Sequence, residues 1–525
     1  MDTFAKDRLP PREEWPRLHF DLPELRYPER LNCATVLLDD AVAEGHGDRP
    51  AILTDAGRIT YRELVARANR IANVLKDAGL EPGNRVLLRG YNGPELYAAW
   101  LAVMKAGAIA VTTMPLLRAP ELTAVIRKAK PAFALSDHRL LAELEAVAAP
   151  GGVGTVIAWG NGDLESRMAA ASDRFENADT AADDVCLLAF TSGTTGQPKA
   201  CVHFHRDVLA MADVVARHLL ETAPGDVYAG SPPIGFTFGL GALLVFPLRF
   251  RAATVPIEAP APAAVLAAIE KHGITCLFTA PFAYRALAGE LAGRDLRTLK
   301  RCVSAGEFLP KAVSDLWFEK TGIRIIDGIG ATEMIHIFIA AAGDEVRPGS
   351  TGKPLPGYRA CVLDEAGKEL PRGSTGRLAV TGPTGCRYLD DARQRDYVRD
   401  GWNVTGDIYR LDEDGYFWFV SRADDMIVSA GYNIAGPEVE WALLAHPAVR
   451  ECAVIGAADS ERGTVVKACV VLAPGRAGDI SLVRELQDFV KQRIAPYKYP
   501  RVIEFLEALP KTATGKLQRK ALRNP

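Results

Sequence analysis

No two cysteines in this chain are spaced as CxxC. Nine of them, at positions 33, 186, 201, 276, 302, 361, 386, 452 and 469, are scattered without pattern through 525 residues. An odd, unpatterned set argues against a disulfide framework or a cysteine-rich zinc cluster and implies reduced thiols. An excess of one charge is missing too: 62 basic side chains stand against 65 acidic ones, a net of −3. That near-balance gives no support for a binder of nucleic acid or of anionic membranes. Long apolar runs are also lacking. The most apolar stretch, Leu96 to Leu117, is interrupted by Lys105 and Gly107, so a buried helix followed by a strand is expected there and not a membrane span. The first twenty residues carry charges throughout and no apolar signal segment, which makes a cytoplasmic protein the expectation. Internal repeats and low-complexity tracts do not occur, and neither do the GxSxG, HExxH and DFG segments of other catalytic families.

What is present is an ordinary globular composition, 48% apolar and 24% charged. At about 150 residues per domain, the length suits three compact units, or one large composite domain and a smaller one. The proline- and charge-rich first thirty residues are expected to lie as an arm over the main body. Thr60 followed by Glu63 forms a capping box ahead of a helix from Tyr61 to Ala78, whose apolar face is Leu64, Ala68, Ile71 and Leu75. The strand Arg85 to Arg89, the helix Pro94 to Ala106 and the strand AIAVTT then make a βαβ unit. Further apolar strands, VCLLAF, ITCLFTA and KRCVSAGE, continue an α/β fold of largely parallel sheets. Short strands between Gly and Asp after Gly349 suggest a small β subdomain. From about Ser421 the pattern suggests a compact α+β unit of about 100 residues. The fold expected is α/β: a large N-terminal domain (residues 1–423) with a small β subdomain, then a small mobile α+β domain (424–525).

The most informative segment follows the strand Val185 to Phe190: Thr191, Ser192, Gly193, Thr194, Thr195, Gly196, Gln197, Pro198 and Lys199. Small hydroxyl and glycine residues after a strand let backbone N–H groups and hydroxyls approach phosphate oxygens closely. It is not a Walker A loop, because a proline separates Gly196 from Lys199 and no GK[ST] follows. His203 and His205 form only an HxH pair, better read as local packing than as a metal site.

This segment resembles the phosphate-binding signature of the acyl-adenylate-forming superfamily, and other signatures of that superfamily recur in order. They are DGIGATE (327–333), GWNVTGD (401–407), SRADD (421–425) and PKTATGK (510–516). The resemblance implies an ATP site made by Thr191, Ser192, Gly193, Thr194, Thr195, Gly196 and Lys199, with Ser304, Ala305, Gly306 and Glu307 at the adenine. Asp327, Gly328, Ile329, Gly330 and Thr332 complete it along the nucleotide, while Asp407 and Arg422 hold the ribose. Glu333 is the implied Mg²⁺ ligand, and Lys516, Thr332 and Glu333 are the implied catalytic groups. Joining a carboxylate to the α-phosphate of ATP brings two anions together, so a mobile cation such as Lys516 suits the step. Asp424 takes the hinge place. The resemblance implies a rotation of the small domain that withdraws Lys516 and brings Ser429, Ala430 and Gly431 to a tunnel for the thiol of coenzyme A.

Between the signatures, Tyr228, Ala229 and Phe236, with Gly330 and His336, are expected to line a flat apolar slot for the acid. Within the superfamily the chain resembles benzoate–CoA and 2-aminobenzoate–CoA ligases. The likeness rests on FAKDRLPPREEWP with FDLPELRYPERLNC, on TMPLLRAPEL and on DGIGATEMIHIF. The opening segment favours the 2-aminobenzoate branch. The implied reaction is carboxylate plus Mg·ATP to acyl-AMP and pyrophosphate, then coenzyme A to the thioester and AMP. The implied partners are small molecules (an aromatic carboxylate, ATP and CoA) and neither nucleic acid nor membrane, in a monomer or homodimer. A medium or branched aliphatic acid–CoA ligase, or a stand-alone enzyme loading a carrier-protein thiol, are the alternative readings.

Overall fold

The computed structural model describes residues 1–191, 198–306, 309, 311–422, 427–434, 436–460, 462–510 and 519–523. Two sheets carry the large α/β body. One has six strands in the order Thr155–Trp159, Phe133–Asp137, Arg85–Arg89, Ile109–Thr113, Val185–Thr191, Lys199–Phe204. It is parallel except for its last pair, the hairpin that frames the Thr191-to-Lys199 segment. The second has nine strands. Its middle is parallel: Ile325–Gly330, Arg301–Ala305, Cys276–Thr279, Val227–Gly230, Ala253–Val255 and Pro50–Thr54. Antiparallel strands close both ends.

The apolar stretch without a membrane role resolves as the helix Pro94–Lys105 and the strand Ile109–Thr113, and every helix residue from Leu96 to Lys105 is buried. Lys105, which breaks the apolar run in sequence, is accommodated by an ion pair to Asp39 at 2.6 Å. A buried ammonium without such a partner is costly. No described helix is long and apolar enough to cross a membrane. The capping box forms as expected: Glu63 N–H donates to Thr60 Oγ1 at 3.2 Å and Thr60 N–H to Glu63 Oε2 at 2.7 Å, opening the helix Tyr61–Asp77.

The opening arm lies across the body. Arg17 N–H donates to Gly401 O at 2.8 Å, Asp2 pairs with Arg85, and Trp15 packs on Phe204 at 5.7 Å. Beyond residue 349 a five-stranded antiparallel sheet forms from Arg359–Leu363, Thr375–Thr381, Val398–Arg399, Trp402–Leu411 and Phe417–Arg422. The last unit is α+β: the strands Val449–Asp459, Gly463–Leu472 and Val502–Phe505 with the helices Gly436–Leu444 and Ile480–Arg493. The small hairpin Ile427–Ser429/Tyr432–Ile434 joins it, since Ile427 and Ile434 share a buried cluster with Val439, Leu443, Val470 and Leu486.

Candidate functional site

Parallel strands place their carboxyl ends along one edge of a sheet, where loops rather than side-chain ladders face solvent and ligands bind. Here two such edges meet. Thr113 and Thr191 end strands of the six-stranded sheet, and Thr279, Ala305 and Gly330 end strands of the nine-stranded one. All five line a single cavity of about 870 Å³, with Ser231 just beyond the strand Val227–Gly230. The α+β unit closes one side of it with Ala430, Gly431, Tyr432 and Lys498.

Thr332 and Glu333 sit in one turn of 3₁₀ helix, Thr332–Met334, directly after the strand Ile325–Gly330. The next residue, Ile335, has φ = 66°. That conformation is unfavourable for a β-branched side chain and marks a backbone held by its surroundings. The chain reverses here into the antiparallel strand Ile337–Ala340, and Glu333 and His336 on either side of the turn are both buried. Part of the hold is visible, because His203 Nε2 donates to Thr332 O at 2.8 Å. One ring of the HxH pair, that of His203, thus braces the Thr332–Met334 turn. His205 Nδ1 accepts from Cys33 N–H at 3.2 Å.

Lys199 donates to the Tyr388 hydroxyl at 2.8 Å, and that hydroxyl in turn donates to Glu333 Oε1. Lys199 Nζ also stands 3.7 Å from the same carboxylate oxygen. Burial, and then the negative Glu333, push the Tyr388 phenol well above its ordinary range, so it stays a donor. Sequence reasoning missed Tyr388. It lies in the irregular stretch GPTGCRYLDD, with no periodicity or motif to single it out, and only folding brings it to Glu333.

Adjacent strands bring Ser304 opposite Asp327 and Ala305 opposite Gly328. The Ser304 hydroxyl and Asp327 Oδ1 are both buried without a hydrogen-bond partner among the described residues. Burial lifts the Asp327 carboxyl to about 8, with a backbone bond from Gly328 pulling the other way. Asp407 lies opposite Arg422 across the antiparallel pair Trp402–Leu411/Phe417–Arg422. The expected ribose pair is therefore adjacent in the backbone.

The acyl slot is partly corrected. Phe236, Gly330 and His336 line the cavity, joined by Phe238. Tyr228 and Ala229 do not. Tyr228 turns into the core, where its ring stacks on Phe278 at 6.0 Å and its hydroxyl bonds Thr222. Ala229, pointing to the opposite face of the strand, packs with Val255, Leu266 and Leu277. Strand alternation sends successive side chains to opposite buried faces, and the cavity begins only at Ser231, one residue past the strand. His336 lies 4.6 Å from the Phe246 ring and 5.7 Å from that of Phe238. Burial drives its imidazole down to about 3, so the ring is neutral. Its Nε2 lies 3.3 Å from Phe238 O. A carbonyl only accepts, so Nε2 carries the proton and Nδ1 keeps a lone pair. That Nδ1 is buried and has no partner among the described residues.

Ala430 and Gly431 form the two-residue tip of the hairpin, with φ of 51° and 79°. Positive φ at both positions is the requirement of a tight type I′ turn. The tip meets Gly306, just past the strand Arg301–Ala305, since a methyl added there would stand 3.5 Å from the Cα of Gly431. Ser429 is buried just before it. The remaining expected site residues, Ser192, Gly193, Thr194, Thr195, Gly196, Glu307, Asp424 and Lys516, lie outside the described residues.

The chain matches the AMP-binding enzyme family over residues 39–387 and the AMP-binding enzyme C-terminal domain over residues 438–516. It is 37% identical over 519 residues to the benzoate–CoA ligase of Thauera aromatica, covering 96% of this chain and 97% of that one. Among solved structures, an anthranilate CoA ligase in complex with anthranoyl-AMP is 33% identical, with a TM-score of 0.75 over 95% of this chain and 98% of that one. A benzoate CoA ligase from Burkholderia xenovorans LB400 is 31% identical, with a TM-score of 0.71 over 94% and 100%. With two converging sheet edges, a braced Thr332–Glu333 turn and matches that span both parts of the chain, the protein belongs to the AMP-binding enzyme family, as an acyl-adenylate-forming acyl-CoA synthetase that resembles benzoate–CoA ligase.

Proposed function

We propose that the protein is an ATP-dependent aryl carboxylate–CoA ligase whose preferred acid is 2-aminobenzoate, with benzoate as the poorer substrate. The acid attacks the α-phosphorus of ATP, giving acyl-AMP and pyrophosphate. The thiol of coenzyme A then attacks the acyl carbon, giving the thioester and AMP. Lys516 approaches the carboxylate and α-phosphate in the first step. Thr332 donates its hydroxyl to the phosphate, Lys199 and the Thr191-to-Gly196 segment hold the outer phosphates, and Asp407 with Arg422 holds the ribose. Ser304 and Asp327 offer the adenine edge two polar groups that nothing else described satisfies. The division at residues 423 and 424, with Asp424 as hinge, is part of this reading.

Glu333 suits a Mg²⁺ ion. Its Oε1 is occupied by Tyr388 and Lys199, while Oε2 takes no hydrogen bond from a described residue and offers the hard oxygen that this ion requires. Bound there, Mg²⁺ would supply charge neutralisation for the phosphates.

The observation that carries the choice of acid is His336 Nδ1, an acceptor buried at the slot with no donor among the described residues. An ortho-amino group is a donor at the edge of a flat ring, and Phe236 and Phe238 suit the ring itself. Benzoate presents only C–H there and leaves the lone pair unsatisfied, a cost of about 1–3 kcal/mol. AMP release from purified protein with ATP, Mg²⁺ and CoA should therefore be fastest with 2-aminobenzoate, slower with benzoate and slowest with hexanoate. In His336→Ala the specificity constant for 2-aminobenzoate should fall about tenfold relative to that for benzoate, each tenfold corresponding to about 1.4 kcal/mol. An unchanged ratio removes His336 from the account. Activity on hexanoate alone keeps the two-step chemistry and discards the aromatic slot, and AMP with none of the three redirects the search to carrier-protein acceptors.

A further inference from the structure

One buried ion cluster bridges the large body and the α+β unit at the wall of the cavity. Glu121 opens the helix Ala119–Ala129 and caps it, with Arg118 N–H donating to its Oε2 at 3.0 Å. Its other oxygen reaches across the interface. Oε1 accepts from Ala495 N–H at 2.7 Å and from Lys498 Nζ at 3.4 Å, both in the α+β unit. Lys498 also pairs with Glu438, on the helix Gly436–Leu444 of its own unit. The side chains of Lys498 and Glu121 are 5% and 9% exposed, so solvent screens the contact little.

The cluster is connected to the hairpin that faces the site. Tyr497, the neighbour of Lys498, stacks on Tyr432 with ring centroids 4.1 Å apart and planes at 23°. Tyr432 directly follows the Ala430–Gly431 tip and lies 6.1 Å from Phe236 of the acyl slot. Arg285 of the large body adds a bond to Ser460 O. Burial works against the Lys498 ammonium, but Tyr497 and the two carboxylates outweigh it and hold the group above its ordinary range. The contacts also divide unequally. Lys498 and Glu438 travel together if the unit turns, whereas Glu121 stays behind and loses both donors it takes from Ala495 and Lys498. Lys498 keeps one carboxylate in either position, so the bridge opens without stranding an unpaired cation.

We propose that Glu121 and Lys498 are positioning residues that hold the α+β unit with the Ala430–Gly431 tip against Gly306, and so serve the thioester-forming half-reaction and not adenylation. The proposal rests on the two-step reaction above.

The test separates the two half-reactions in the intact chain. Acyl-AMP formation is followed as pyrophosphate released from 2-aminobenzoate and ATP without CoA. Thioester formation is followed as transfer from preformed acyl-AMP to CoA. Lys498→Met and Glu121→Gln should each form acyl-AMP within about twofold of the parent and transfer it about tenfold more slowly, a typical size for coupling between two conformations. Lys498→Arg, which keeps the charge, should restore most of the transfer rate. An equal fall in both half-reactions, or no change in either, overturns the proposal. Should Lys498→Met fail to fold, Glu121→Gln decides, because it retains the oxygen that caps its helix. A parent that makes no acyl-AMP from any acid overturns the ligase reading and this inference with it.

Discussion

Burial raises the Asp327 carboxyl to about 8, far above the ordinary value of 3.8 that it regains on unfolding. Between those values the folded chain holds a proton that the unfolded chain has lost. Stability from this group is therefore fully present below pH 4 and drains as the pH climbs to 8. Asp327→Asn removes the titration while keeping the shape. Its melting temperature should fall less than the parent's between pH 5 and pH 8, and parallel curves for the two proteins would refute the assignment. Thr332, Glu333, Asp327 and Lys199 belong to contiguous strings that resemble family signatures, and the resemblance rather than residue type alone is what singled them out. Tyr388 and His203 were not readable as site residues, because their roles come from contacts to Glu333 and to the carbonyl of Thr332 across more than fifty and more than a hundred residues of chain. Tyr228 misled for a related reason. Its neighbours Ser231, Pro232, Gly235, Phe236 and Phe238 do line the cavity, but a strand position just before the edge points into the core.

At the scale of elements, periodicity carried well where one face of an element is buried. The capped helix Tyr61–Asp77 and the helix–strand pair at 94–113 appear nearly as expected. What pattern does not reveal is which sheet a strand joins. The strands Ile109–Thr113 and Cys276–Thr279 look alike in sequence yet lie in different sheets, and only their meeting makes the cavity. The hairpin tip is the element most open to a direct test. Gly431 has φ = 79°, a region costing a residue with Cβ about 1–2 kcal/mol. Gly431→Ala should therefore lower stability by about 1 kcal/mol and shift the tip that meets Gly306. Transfer of preformed acyl-AMP to CoA should slow by at least about tenfold, while pyrophosphate release without CoA changes little. Equal effects on both steps would assign the glycine to folding alone.

For the whole molecule, the proposed reaction asks one small unit to offer two different faces to one cavity. The arrangement seen here turns the Ala430–Gly431 tip and Tyr432 inward, while Lys516 lies outside the described residues, in the segment after the strand Val502–Phe505. A cation that offsets charge as carboxylate and phosphate join is needed only while they join. Once acyl-AMP exists, the same position must admit a thiol. Under the proposed reaction the small unit must rearrange between the two steps, and contacts such as Glu121 with Lys498 and Arg285 with Ser460 would have to open. Lys516→Ala should then lose acyl-AMP formation by roughly 10²–10³-fold, the scale of removing one charge-stabilising donor. It should keep its melting temperature and transfer synthetic acyl-AMP to CoA at nearly the parent rate. This is the reverse of the pattern expected for Lys498→Met. Two lysines eighteen positions apart on one small unit would thus fail in opposite halves of the same reaction, an outcome that a single fixed arrangement does not allow. If Lys516→Ala formed acyl-AMP normally, the charge for the first step would have to come from the large body, with Lys199 the cation already beside Glu333.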